Sequence, residues 1–366
     1  MPNQISRRSL LAALVAAVPS AALAQVAGAP AAPAPPAPPQ PMTGPVFGAP
    51  PTDFKPPYPE AGKVNRLDPR LDALIDADAK VEKICDGFLH AEGPVWVGGV
   101  NGYLLTSDTQ VNHIVKWSPT EGRSVWLENS GYDANGVGWA PHLREPGTNG
   151  LILGRGGLIA AGSGARSILR IDLATKKKTV LVDKYMGKRL NSPNDVVLGP
   201  DGSIYFSDPP AALVNRTGPD RELDYAGVFR LAPDNSLHLI DTTLAPNGIG
   251  VSPDGTKLYS SDQPTGWVMW DLDRNGNASN KRLFVGRDSG VQGGDSLKID
   301  AAGNMWAGTR EGVTVFSPEG AHLGFVSTDQ GVSNCEFGAD GYLYIASSTR
   351  VLRVKVKARK LMFRTA

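Results

Sequence analysis

The stretch "NSPNDVVLGPDGSIYFSDPP", Asn191–Pro210, holds a polar segment, a short apolar run, an Asp-Gly turn and a second apolar run. Two short apolar runs joined by a glycine turn are the pattern of a β-hairpin. The same shape returns in "APNGIGVSPDGTKLYSSDQP", Ala245–Pro264. Across the chain the turn-then-strand unit occurs six times: "GYLLTSDT" from Gly102, "GGLIAAGSG" from Gly156, "GSIYFSDP" from Gly202, "GTKLYSSDQ" from Gly255, "GNMWAGTR" from Gly303 and "GYLYIASS" from Gly341. A further apolar strand follows each: "IVKWSP", "ILRIDL", "VFRLAP", "VMWDLD", "VTVFSP" and "VLRVKV". The turn glycines are 54, 46, 53, 48 and 38 residues apart, which is the size of a four-stranded propeller blade. Glycine suits such turns because it adopts positive φ at no steric cost. Six repeats predict an all-β fold, a six-bladed β-propeller; a pair of β-sandwiches would not require sixfold self-similarity. "KVEKICDGF", Lys80–Phe88, alternates in part like a strand and precedes the first repeat. It is expected to join the last blade and close the ring, leaving no open edge.

The 366 residues carry 37 basic and 36 acidic side chains, a net charge of +1, and the longest run of like charge is Lys176–Lys178. That even distribution excludes a nucleic-acid partner. Residues 1–24 read as a secretory signal: Arg7-Arg8 precede the apolar run "LLAALVAAVPSAALA", which ends in Ala22-Leu23-Ala24. The arginine pair favours the twin-arginine type. Export to the periplasm or medium is therefore expected, with no stable membrane insertion once the signal is removed. Residues 25–64, including "GAPAAPAPPAPPQPMTGP", are Ala- and Pro-rich and are expected to form a disordered, extended tether. The propeller is assigned to 65–366, starting with a short helix around "DPRLDALID". The two cysteines, Cys85 and Cys335, are read as buried thiols rather than a bridge. A monomer or dimer is expected.

Counting back from each turn glycine reaches the start of the inner strand. Asn194, Asn247 and Asp295 lie eight residues before Gly202, Gly255 and Gly303. Asn149 and Asn334 lie seven before Gly156 and Gly341, and Glu92 lies ten before Gly102. Asn or Asp before a strand often caps a turn through its own side chain. Six such residues brought to one end of a propeller axis form a ring instead. Two carboxylates near one axis repel unless a cation or proton neutralises them. Oxygen ligands suit a hard divalent ion, calcium first, with magnesium, manganese or zinc as alternatives. The five histidines show no metal-ligand spacing. His90, two residues before Glu92, shares its face by alternation and is read as a supporting or merely structural histidine. The sequence holds no G-x-S-x-G elbow, zincin helix or phosphate loop.

The motifs "AEGPVW", "GKRLNSPNDVV", "IYFSDPP", "APNGIGVSPDGTKLY" and "SNCEFGADGYLYIAS" resemble the gluconolactonase branch of the superfamily that also holds senescence marker protein and luciferin-regenerating enzyme. The resemblance runs from about Leu67 to Lys357 and implies a six-bladed propeller with one divalent metal ion in its channel. It implies Glu92, Asn194, Asn247 and Asp295 as the metal ligands. Around Asp295 the sequence reads "QGGDSLKID", where Gly294 and Ser296 replace the family's proline and glycine. Asn149 and Asn334 fall outside the family's four. The implied activity is opening of a small-molecule sugar lactone of the glucono-δ-lactone type. Asp295 would be the catalytic base, and Asn194, Arg189 and Asn191 would contact the substrate. Hydrolysis of other esters, aromatic lactones or organophosphates is the alternative enzymatic reading, and a non-enzymatic ligand-binding propeller with a structural metal is the third. The leader assignment predicts a mature chain beginning at Gln25 and export that stops when Arg7 and Arg8 become lysines. Mass spectrometry of the exported protein reads both, and continued export of the lysine variant would refute the twin-arginine route.

Overall fold

A computed structural model of the chain describes residues 51–133, 143–218 and 220–363. The expected signal and the tether up to residue 50 lie outside the described residues. Six antiparallel sheets form the blades, five of four strands and one, blade 5, of five. Blade 1 is Ala91–Val97, Tyr103–Asp108, His113–Ser118 and Gly122–Glu128. Blade 2 is Leu151–Gly154, Gly157–Gly162, Ser167–Ile171 and Lys178–Val182. Blade 3 is Val196–Leu198, Ile204–Asp208, Gly227–Leu231 and Leu237–Asp241, and blade 4 is Pro246–Val251, Lys257–Asp262, Gly266–Leu272 and Ala278–Gly286. Blade 5 is Leu297–Ile299, Met305–Gly308, Gly312–Phe316 and His322–Thr328. Blade 6 takes three strands from the C-terminal part, Asn334–Phe337, Tyr342–Ser347 and Arg350–Lys355, and its outermost, Val81–Asp86, from before blade 1. The expected closure is therefore present, with Val81 opposite Val354 and Cys85 opposite Val351. The first strands of successive blades touch all the way round the ring and so enclose the axis.

The apolar residues explain why blades stack into a ring. Strand alternation gives each sheet two apolar faces, and each face is buried against a neighbouring blade. One cluster fills each junction, such as Trp306, Leu343 and Leu352 between blades 5 and 6, and Val95, Leu151 and Leu158 between blades 1 and 2. Aromatic pairs cross the junctions: Trp96 stacks on Tyr344 at 5.1 Å, and Trp306 meets Phe337 edge-on at 5.4 Å. Five of the six turn glycines have positive φ, among them Gly202 at 80° and Gly341 at 81°. Gly102 does not. A Cβ there would lie 2.2 Å from the Val97 carbonyl oxygen, while Gly98, at φ 92°, takes the left-handed turn position.

Ordered structure begins before residue 65, so the boundary drawn at 64 is corrected. Gly62–Arg66 adds a fifth strand to blade 5, paired to His322–Thr328. Upstream of it Asp53 and Glu60 make single bridges to Cys85 and Glu82 on the edge of blade 6. Tyr58 is buried there under the Arg353 guanidinium. A Pro-rich composition describes the tether only where no sheet edge offers partners, and two outer edges do so here. The helix expected at "DPRLDALID" is a 3-10 turn, Pro69–Ala73, capped by Asp68. Cys85 and Cys335 are buried free thiols. They sit on the outermost and innermost strands of blade 6, three strand spacings or ~14 Å apart, beyond the reach of a disulfide. No helix among the described residues is long and apolar enough to cross a membrane.

Trp306 is fully buried and its indole N–H donates to Asp300 Oδ2 at 3.0 Å. Trp306→Ala should cost about 3–5 kcal/mol of stability, measured by urea unfolding. A loss below about 1 kcal/mol would mean that the junction repacks freely.

Candidate active site

At one end of the axis the chain enters each inner strand, and backbone hydrogen bonds define equivalent positions there. Asn149 N–H donates to Ala161 O at 2.8 Å, and Ala161 N–H returns a bond to Gly150 O at 2.9 Å. Asn194 and Asp195 make the same pair with Ser207, at 2.9 and 3.1 Å, and Asp295 and Ser296 make it with Gly308, both at 2.9 Å. Asn149, Asn194 and Asp295 thus hold one place in blades 2, 3 and 5. In blade 6 the corresponding bond comes from Ser333, whose N–H donates to Ala346 O at 3.1 Å, and Asn334 is the register partner of Ala346. Counting from turn glycines therefore misassigned Asn334 by one residue. Blade 2 turns between Gly154 and Gly157, whereas blade 6 needs Gly338–Gly341 to turn, and a fixed count does not register that difference.

Adjacent blades approach closely at this level. A Cβ on Gly93, at φ 49°, would lie 1.9 Å from Asn149 O, and one on Gly248 would lie 2.4 Å from Asp295 O. Serine hydroxyls stitch the blades at four of the six junctions, and at the blade 4–5 junction Gln263 Nε2 donates to Gly294 O at 2.7 Å instead. Ser107 Oγ donates to Asn149 O at 2.8 Å, Ser163 Oγ to Pro193 O at 2.5 Å, Ser333 Oγ to Ala91 O at 2.6 Å, and Ser207 Oγ to Asn247 O. The Asp that follows Ser in "TSD", "FSD" and "SSD" holds the loop entering its own blade. Asp108 accepts from Leu89 and His90 N–H, Asp208 from Asn191 and Ser192 N–H, and Asp262 from Ala245 N–H. The repeated Ser-Asp pair is visible in the sequence, but its job is visible only in the structure.

On this scaffold the Oδ1 atoms of Asn149, Asn194 and Asn247 are all buried with no hydrogen-bond partner among the described residues. Glu92 is 1% exposed, and its Oε2 accepts from Gly93 N–H at 2.9 Å and from Asn334 Nδ2 at 3.2 Å. Asn334 Oδ1 in turn accepts from Lys298 Nζ at 3.1 Å. Burial, reinforced by the Asp295 charge, raises the Glu92 pKa well above the usual carboxylate range. Burial, with the charges of Glu145 and Asp195, pushes Asp295 up to about 7. The neighbouring buried acids have cations: Asp195 faces Lys298 at 3.7 Å, Glu336 faces Lys360 at 3.1 Å, and Glu145 pairs with Arg144. Among the described residues no cation lies within ion-pair distance of Glu92 or Asp295; Lys298 feels the Glu92 charge but pairs with Asp195.

Beside Asp295, which is the one ring residue to line it, lies a cavity of about 250 Å³ whose wall includes His90, Gln263, Thr309, Arg310 and Ser348. Burial lowers the His90 pKa, which favours the neutral imidazole. Gln263, Arg310 and Lys298 carried no signal in the sequence, because none recurs from blade to blade. Two expected substrate contacts are placed elsewhere. Asn191 is fully buried, and its amide donates to Asp208 O at 3.0 Å and Tyr225 O at 2.9 Å. Its Oδ1 accepts from Arg221 at 3.3 Å. Arg189 ends a two-stranded hairpin outside the blades, with its N–H on Glu222. Neither lines the cavity. Asn191 is part of the scaffold, because its amide is spent on backbone carbonyls.

The fold is a six-bladed propeller with buried carboxylates and carboxamides at its inner strand entries and a small polar pocket beside Asp295. Residues 90–349 match the SMP-30/gluconolactonase/LRE-like family. The gluconolactonase of Zymomonas mobilis is 42% identical over 312 residues, 81% of this chain and 86% of that protein. The structure of a gluconolactonase from Xanthomonas campestris is 28% identical with a TM-score of 0.71, and the match covers 84% of this chain and 99% of that one. Regucalcin, a calcium-binding protein from Agrobacterium tumefaciens, shares the fold at 18% identity and a TM-score of 0.59, over 84% of this chain and 98% of that one. The chain belongs to the SMP-30/gluconolactonase/LRE-like family, and its gluconolactonase relatives support the lactonase class implied by its motifs.

The placement of Asn191 has a direct test. Asn191→Ala should lose about 1–3 kcal/mol in thermal unfolding, because it leaves two buried carbonyls unpaired. A variant with unchanged stability and a weakened substrate KM would restore Asn191 to the substrate site.

Proposed function

We propose that this protein is a metal-dependent lactonase that opens a sugar lactone of the glucono-δ-lactone type to its aldonic acid, working outside the cytoplasm after export. The observation that carries the metal is the pairing of two uncompensated buried carboxylates, Glu92 and Asp295, with buried amide oxygens that lack partners, Asn194 and Asn247 among them. Buried polar atoms are rarely left unbonded, and a divalent cation satisfies both deficits at once. The candidate donors are carboxylate and carboxamide oxygens, and among the described residues no group of three or more His, Cys, Asp or Glu side chains is arranged to hold a metal ion without the amides. That set suits calcium better than a nitrogen- and sulfur-seeking metal. Glu92, Asn194, Asn247 and Asp295 would hold the ion. When bound, it supplies Lewis acidity at the lactone carbonyl and charge opposite the developing oxyanion.

The chain's own residues do the rest. Asn194 and Asn247 are held rigidly by backbone bonds to the blades, so their amides need no reorganisation as charge develops. Asp295 lines the cavity and takes the proton released as water oxygen bonds to the carbonyl carbon. The ring C–O bond then breaks, the freed alkoxide gains a proton, and a hydroxy acid results. Arg310 and Gln263 line the same cavity and are placed to contact polyol hydroxyls, in place of Arg189 and Asn191. Support for the substrate class comes from the gluconolactonase relatives, the Zymomonas protein foremost.

Purified protein should hydrolyse glucono-δ-lactone when calcium-loaded and lose at least about 100-fold when chelated. Glu92→Gln and Asp295→Asn should each abolish calcium binding while the propeller still folds. Raised carboxyl pKa values also predict a pH signature. In the chelated protein the folded state holds protons more tightly than the unfolded state. Its stability should therefore fall as pH rises from the ordinary carboxylate range towards about 7. Calcium competes with those protons, so the stabilisation it gives should grow over the same window. Equal activity of the chelated and loaded proteins would reject the metal role.

A further inference from the structure

We infer that Asn149 is a fifth oxygen donor to the axial cation, beside Glu92, Asn194, Asn247 and Asp295. The inference rests on the metal reading above and extends the donor set to a blade that the family's four ligands leave out. Three observations support it. The first is positional: Asn149 makes the same two-bond exchange with its second strand as Asn194 and Asp295 make with theirs. The second is a deficit. Asn149 is 1% exposed, and its Oδ1 is unbonded in the same way as those of Asn194 and Asn247. Its backbone is fully committed: its N–H bonds Ala161 O, its carbonyl takes the Ser107 hydroxyl, and the next residue, Gly150, bonds Asn194 O at 2.8 Å. The strand cannot shift to find the side chain another partner, and an unmet buried carbonyl oxygen is costly.

The third observation is the contrast in blade 6. Asn334, which the sequence presents as the counterpart of Asn149, is one residue out of place and has its Oδ1 occupied by Lys298 and by Cys335 N–H. That forces its Nδ2 towards Glu92, so Asn334 orients a ligand and is not itself one. The residue that does hold the equivalent place, Ser333, has its hydroxyl spent on Ala91 O. Blade 6 therefore offers no free donor, and blades 1 to 5 offer one each. Three neutral amides and two carboxylates give five protein oxygens. The flexible six- to eight-fold coordination of calcium accommodates that number together with water or substrate, whereas the small octahedral magnesium ion usually keeps several waters.

The experiment measures calcium affinity by calorimetry, and bound waters from terbium luminescence lifetimes in H₂O and D₂O. It uses the full-length mature protein and its Asn149→Ala, Asn149→Asp, Asn247→Ala and Asn334→Ala variants. Thermal unfolding in chelator confirms folding of each. Asn149→Ala should weaken calcium roughly 10-fold or more and add a terbium-bound water, in parallel with Asn247→Ala. Asn149→Asp, which keeps the shape, should tighten calcium, and it decides the matter if the alanine variant does not fold. Asn334→Ala should leave the terbium hydration number unchanged. If Asn247→Ala weakens binding while both Asn149 variants bind calcium as the parent does, the inference is overturned and the metal site stands. If the parent binds neither ion, the metal reading itself fails.

Discussion

Ser107, Ser163, Ser207 and Ser333 each reach from one blade to a backbone carbonyl of the next, at the level where the chain enters the inner strands. These bonds constrain everything built on the axis. Apolar clusters between blades bring the sheets together, but non-directional packing sets position only loosely. The serine bonds, together with glycines that admit a neighbour's carbonyl below normal Cβ contact, bring consecutive strand entries close enough for their side chains to converge. A hydrogen-bonded seam is directional, and at these four junctions it fixes the strand entries that packing alone leaves loose.

Convergence creates an electrostatic problem. Glu92, Asp195, Asp295 and Glu336 are all buried near the axis, where charge is expensive unless compensated. The chain settles half of it internally, using Lys298 for Asp195 and Lys360 for Glu336. Lys298 does a second task through Asn334, whose amide it turns towards Glu92. What remains is two carboxylates without a cation, which is the charge of one divalent ion. The other end of the axis is handled differently. There a cavity of about 380 Å³ is lined by residues such as Val197, Ile249 and Phe337, and Lys360–Phe363 of the C-terminal segment complete the wall. That wall is mostly apolar, and the charged groups it includes are paired, Glu336 with Lys360 and Lys298 with Asp195.

Much of this was legible without coordinates. Six copies of a turn-and-strand unit near 50 residues apart have few folded solutions, because each hairpin exposes two apolar faces that only neighbouring copies can cover. The strand at Lys80–Phe88 was readable as the closing one because an unpaired strand before the first repeat has one free edge to meet. Glu92, Asn194, Asn247 and Asp295 could be read as candidates because their oxygens recur at the same point of the repeat. The strand at Gly62–Arg66 was missed, since its pairing to blade 5 depends on an edge 260 residues away.

The sequence by itself determined the blade count, the closure and the kind of atoms that meet on the axis, because repetition and periodicity are local properties that survive without contacts. Only the tertiary structure decided which of two look-alike asparagines shares the backbone position of Asn194 and Asp295. Asn149 and Asn334 stand at the same distance from their turn glycines, yet hairpins of different length place one in the ring and set the other one residue off it. Tertiary structure likewise spent the Asn191 amide on backbone carbonyls, set Arg310 and Gln263 around the cavity beside Asp295, and put Lys298 against Asp195 and Asn334. These residues belong to no repeat, and their roles arise solely from the neighbours that the ring gives them.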